Sequence, residues 1–167
     1  FDDSLKEKGR HLLTVVSGSV RTLLLADLEE KFQVPLIVVC DDLFHAQSLE
    51  EDLRNVFAEE DIDVFPVEEN FAAAISASSP EYKAQRVKTL QKMADGSSKI
   101  VVTSVSGIRR MLCPKDFWLK STIKFKLGEE IIPEKLKQEL CTMGYRAVKM
   151  VERLGDFAVR GSIFDIY

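Results

Sequence analysis

Over the first two thirds of the chain, short continuous apolar runs alternate with stretches of helical period. Residues 11–16 and 36–40 read as strands, the second so rich in β-branched residues that burial on both faces is expected. Residues 23–28 read as a helix. A second helix is expected over 42–58, where Leu43, Ala46, Leu49, Leu53, Val56 and Phe57 recur at helical spacing and Glu50 stands four residues before Arg54. Residues 63–65 form a short strand candidate, and 66–79 show no period and read as a long loop. Ser79 and Pro80 then supply an N-cap and a first helical residue, with Val87, Leu90 and Ala94 as the buried side and Gly96 as the stop. Residues 99–103 predict another buried strand, and 105–111 a short helix. Repeated strand–helix units of this length predict a mainly parallel sheet, since parallel neighbours need a crossover.

The pattern changes after Pro114. Residues 122–127 alternate polar and apolar, as a half-exposed strand does. A helix is expected over 133–143, with Leu136, Leu140 and Met143 on one face and Gly144 at its end. Strand candidates follow at 147–151, 157–159 and 163–167. One-sided strands around one helix predict a small α+β domain. The boundary is expected near 115–121, giving a domain over 1–116 and a second, whether truncated or whole, over 117–167.

Composition adds little to this picture. The chain has 167 residues, 46% apolar and 30% charged, with a formal net charge of −4, which argues against a broad nucleic-acid surface. Cys40, Cys113 and Cys141 lie far apart with no C-x-x-C pair, so buried thiols in a reducing cytoplasm are expected and a metal site is not. No apolar stretch reaches the roughly 20 residues needed to span a bilayer.

One segment carries candidate chemistry. Between the first strand and the first helix, residues 15–22 sit where a nucleotide-binding loop, G-x-x-x-x-G-K-[ST], would sit. Val15 and Val20 replace its two glycines, Arg21 replaces its lysine, and Thr22 fits; Gly18 lies inside the loop. Glycine lets backbone N–H groups close around a phosphate, and lysine supplies a compact charge at the β/γ-phosphates. The expected fold is therefore α/β, a P-loop-NTPase-like parallel sheet with flanking helices and a degenerate nucleotide loop, plus the small α+β domain. No catalytic residue and no cofactor is expected. Residues 36–41 also imitate a strand ending in a Mg²⁺-holding aspartate, but Asp42 reads better as a helix cap. Lys83, Arg86, Lys88 and Lys92, with Arg109 and Arg110, read as a solvated basic face.

Residues 16–19, 35–40, 101–108 and above all 155–166 carry a family resemblance. The last, Gly-Asp-Phe-Ala-Val-Arg-Gly-Ser-Ile-Phe-Asp-Ile, follows the pattern G-[DE]-[FY]-A-x-R-G-x-[IL]-x-D-[IL]. The chain resembles the N-terminal UvrB-like module of the bacterial transcription-repair coupling factors (Mfd), over nearly its whole length. The resemblance implies a non-catalytic module whose small domain recruits UvrA to stalled transcription complexes in nucleotide excision repair. It also implies a cytoplasmic setting, possible masking by other domains of a longer parent, and contacts with RNA polymerase and DNA only through those domains. The alternative is a weak or divergent NTPase, or a DNA-binding domain, of a UvrB-like repair helicase.

Three residues are candidates for partner binding. Arg160 precedes Gly161 at a strand exit, where its planar fork is free to pair with a carboxylate. Arg146 follows a helix end, where it either satisfies the final carbonyls or serves an interface. Phe164 is either core or an exposed aromatic anchor; alternation puts it with Ile166 on one face and Ile163, Asp165 and Tyr167 on the other.

Overall fold

A computed structural model describes residues 9–14, 16–67 and 79–167. In chain order the elements are α1 (Ser19–Phe32), β1 (Leu36–Cys40), α2 (Leu43–Leu53), a 3-10 turn (Glu59–Asp61), β2 (Ile62–Phe65), α3 (Pro80–Asp95), β3 (Ile100–Ser104), α4 (Val105–Ile108), α5 (Lys115–Lys120), α6 (Pro133–Thr142), β4 (Arg146–Ala147), β5 (Asp156–Arg160) and β6 (Ile163–Ile166). They divide into two compact units. The first holds the described residues up to Val67 together with Ser98–Ile108, and the second holds 79–97 and Arg109–Tyr167.

In the first unit β3 lies between β1 and β2, and both pairings are parallel. Leu36 and Ile62 flank Ile100 in register, and Val38 and Val64 flank Val102. Helix α2 covers one face of this sheet. Its fully buried Ala46, Leu49 and Leu53 fall at helical spacing and pack into one cluster with Ile62, Val64, Ile100 and Val102. All five residues of β3 and all four of β2 are buried, Asp63 of β2 included. Strand β1 departs from expectation. It is an edge strand with one face open, leaving Ile37 55% and Val39 42% exposed.

Two buried polar groups of this unit, Asp63 and Thr103, are tied down by hydrogen bonds. Asp63, on β2, accepts a hydrogen bond from Ser98 Oγ at 2.8 Å. Thr103 Oγ1 donates to the Phe65 carbonyl across the ladder at 2.9 Å. A methyl group at Gly107 in α4 would sit 2.0 Å from Thr103 Oγ1, so the hydroxyl would have to abandon that bond. Gly107→Ala is therefore expected to cost about 1–2 kcal/mol of stability, read from urea denaturation; a loss below a few tenths would show that Thr103 rotates away freely.

The second unit packs α6 against the three-stranded sheet β4-β5-β6. Leu136 and Leu140 from α6 meet Phe157 from β5, and Ile123, Tyr145, Val159 and Phe164 close around them. Helix α6 ends as Gly144 implies. Gly144 takes φ 91°, its N–H donates to the Cys141 carbonyl, and the Tyr145 N–H donates to that of Leu140. Helix α3 runs from a Ser79 cap and Pro80 to Gly96 at φ 81°, with Leu90 and Ala94 buried but Val87 mostly exposed. Strand β4 pairs parallel with β5, and β5 turns through Gly161 and Ser162 into antiparallel β6.

Other expectations fail for identifiable reasons. Residues 11–14 and 16 form no strand; Leu12 and Leu13 are exposed and no ladder receives them. Residues 122–126 form none either, because only Ile123 reaches the core while Phe125 and Leu127 point to solvent. Helix α4 stops at Ile108, and β4 is two residues long. Cys40 is buried, whereas Cys113 and Cys141 are exposed. Of the loop expected over 66–79, residues 68–78 lie outside the described residues.

Candidate functional site

At the start of α1, Gly18 takes φ 55° and acts as N-cap without a side-chain hydrogen bond to the helix. Its carbonyl accepts the Arg21 N–H at 3.0 Å. Val15 lies outside the described residues. Val20 is 58% exposed, so its bulk does not fill the loop; what the segment lacks is the glycine frame and the lysine. Thr22 is buried, and neither its Oγ1 nor Arg21 Nε has a hydrogen-bond partner. The Arg21 guanidinium lies near enough to Cys40, at the end of β1, to oppose the rise in thiol pKa that burial causes.

The aspartate that would hold Mg²⁺ in an active site is Asp41, which is exposed. Its neighbour Asp42 caps α2, accepting the His45 N–H at 2.8 Å and facing His45 Nδ1 at 2.8 Å. The His45 backbone hydrogen bond, followed by the ring contact, holds the Asp42 carboxyl below its ordinary value. A depressed carboxylate pKa stabilises the fold above the unfolded value, near 3.9, and that contribution fades as pH falls through the folded value. Asp42→Asn keeps a capping oxygen but cannot ionise. The gap in melting temperature between wild type and this variant is thus expected to narrow from pH 6 to pH 3; a constant gap would contradict the charge-based origin. Among the described residues, no group of three or more His, Cys, Asp or Glu side chains is placed to hold a metal ion.

The partner-binding candidates lie in the second unit. Arg146 and Asp156 are register partners on β4 and β5, so their side chains share a sheet face. Alternation adds Ala158 and Arg160, and the antiparallel register adds Ile163 and Asp165. Arg146 does not cap α6, whose last carbonyls are met by backbone N–H groups. Instead its Nη2 donates to Asp156 Oδ1 at 2.7 Å while 61% of the side chain stays exposed. Arg160, exposed at the strand exit, is not free as expected, because its Nη2 pairs diagonally with the Asp165 carboxylate. The two arginines stand roughly 13 Å apart along the strand direction, four residues at the usual strand rise.

Phe164 is on the opposite face. It is half-buried against the Leu136–Leu140–Phe157 cluster and, with Ile166, walls an apolar groove of about 410 Å³ lined also by Phe125, Ile131 and Leu136. The structure thus joins Arg146 and Arg160 on one surface and places Phe164 behind it. Sequence reasoning missed Asp156 and Asp165. The one signal was their alternation with the arginines along β5 and β6. Elsewhere, Lys83 and Lys88 on α3 are exposed, while Arg86 and Lys92 are partly buried.

Residues 123–167, the span holding this arginine face, match the family model of the UvrB interaction domain. The resemblance to the coupling-factor module holds. The chain is 34% identical to the transcription-repair-coupling factor of Bacillus subtilis over 165 residues, 99% of this chain and 14% of that protein. It is 28% identical over 156 residues to the Staphylococcus haemolyticus factor, covering 93% of this chain and 13% of that protein. The Staphylococcus aureus strain USA300 factor is 27% identical over the same length. The chain therefore spans about a seventh of these relatives. Among the described residues no helix is long and apolar enough to cross a membrane.

Proposed function

We propose that this chain is a non-catalytic docking module that binds UvrA and brings it to stalled transcription complexes in nucleotide excision repair. The observation that carries this reading is the exposed Arg146–Arg160 face within the residues that match a UvrB interaction domain. Arginine is enriched among residues that dominate interface energy, and its planar fork pairs bidentately with carboxylates. Phe164 contributes from behind, by setting the position of β6.

In this reading residues 1–116 form a P-loop-NTPase-like scaffold that has lost nucleotide binding. A division into 1–116 and 117–167 separates that scaffold from the docking domain. Contacts with RNA polymerase and DNA, a cytoplasmic setting, and masking of the docking face belong to the longer parent. Gel filtration of the chain with UvrA at tens of micromolar is expected to give a co-eluting complex. Separate elution at that concentration would refute the docking reading.

The unpartnered Arg21 Nε and Thr22 Oγ1 favour the rival reading of a divergent nucleotide site. Calorimetry with Mg·ATP separates the two. Docking predicts no binding tighter than millimolar, and a micromolar constant would favour the enzyme.

A further inference from the structure

We propose that Asp156 is a positioning residue, holding the Arg146 guanidinium in one orientation so that its remaining N–H groups meet a carboxylate on the docking partner. The inference rests on the docking reading above and deepens it.

Asp156 is 3% exposed, an unusual state for an aspartate, and it is fixed from several sides. Its Oδ2 accepts the Arg153 N–H at 3.2 Å, and its own N–H donates to the Arg153 carbonyl at 3.0 Å. Its carbonyl accepts the Tyr167 N–H at 3.0 Å. The carboxylate is thus part of the backbone framework that joins the 153–155 turn to the end of the sheet. Only Oδ1 reaches outward, and it receives Arg146. The base of Arg146 is held as well, since its N–H donates to the Gly155 carbonyl at 2.8 Å.

An exposed arginine ordinarily samples many rotamers and loses that freedom on binding. Here the loss has already occurred in the free chain. Asp156 engages one terminal nitrogen, and a guanidinium carries five N–H donors. The others have no partner among the described residues and lie on the exposed side. Arg160 is built differently, because its Asp165 partner is itself partly exposed and sits on an edge strand. The Asp156 arrangement suits a fixed carboxylate on a preformed protein surface.

A double-substitution cycle against UvrA tests this, using the whole chain and titration calorimetry. Arg146→Ala is expected to weaken affinity about thirtyfold. Asp156→Asn, which can still accept the Arg153 N–H, is expected to weaken it about fivefold or more in the wild-type background and less than about twofold when Arg146 is already alanine. Equal weakening in both backgrounds, or none in the wild type, overturns the positioning role while leaving docking intact. No effect of Arg146→Ala on a complex that still forms overturns the positioning role and leaves docking standing, whereas no binding of UvrA at all removes the proposal along with the reading it rests on. A second measurement needs no variant. In the free wild-type chain the Arg146 Nε–H order parameter is expected above about 0.6, and a freely mobile guanidinium would overturn the proposal.

Discussion

Phe157→Ala is expected to remove about 3–5 kcal/mol of stability from the second unit. Phe157 is 2% exposed and is the strand-side centre of the cluster that α6 supplies with Leu136 and Leu140. Truncation loses the transfer free energy of the ring and leaves a void between a helix and a three-stranded sheet, which can collapse only if α6 shifts. Two of those strands, β4 and β6, are short and gain their order from β5. Urea denaturation reads the effect through the single tryptophan, Trp118, which lies in the same unit. Ile163→Ala, on the exposed turn end of β6, serves as control and should change stability by less than about 0.5 kcal/mol. A Phe157→Ala loss below about 1 kcal/mol would mean that the helix and sheet hold each other by other contacts.

The second large effect concerns binding rather than folding. Arg160→Ala is expected to weaken UvrA affinity by about 2 kcal/mol or more, roughly thirtyfold. Its intramolecular pair with Asp165 is exposed, and surface pairs contribute roughly 0–1 kcal/mol, so the fold should survive the change. That asymmetry separates the two roles: an arginine kept for stability would lower the unfolding midpoint, whereas one kept for docking lowers affinity alone. Asp165→Ala provides the complementary case. It frees Arg160 without removing it, so it should cost less affinity than Arg160→Ala does. Titration calorimetry with UvrA checks both; unchanged affinity for Arg160→Ala would take the residue out of the interface.

Much of the fold was legible because its strongest elements announce themselves locally. Strand β3 opens on the apolar run Ile100–Val102, β2 is three apolar residues around one aspartate, α2 has a capping aspartate and apolar spacing that holds through Leu53, and α3 and α6 carry proline at the start and glycine at the end. What misled was pattern without a partner. Residues 122–127 alternate as a strand should, yet a strand exists only where a neighbour supplies a ladder, and none does here. The same holds for the apolar stretch at 11–16 among its described residues. The composition of β1 matches that of β3 and predicts burial on both faces, but the face carrying Ile37 and Val39 is left uncovered.

The candidate site was half legible. The Gly155 to Ile166 motif located it, and residue type singled out the two arginines. Their carboxylate partners stayed hidden, since nothing in local sequence shows that Asp156 is buried or that Asp165 lies diagonal to Arg160. For Phe164 the sequence leaves core and exposed anchor both open, and the folded sheet packs it against the Leu136–Leu140–Phe157 cluster, on the face opposite the arginines.

Hydrogen–deuterium exchange of the chain with and without UvrA tests the central claim most directly, because it reports where the partner sits. Added protection concentrated in β4, β5 and β6, from Arg146 to Ile166, is the result this account predicts. Protection confined to the start of α1 and the end of β1, with the β4-β5-β6 sheet unchanged, would contradict it.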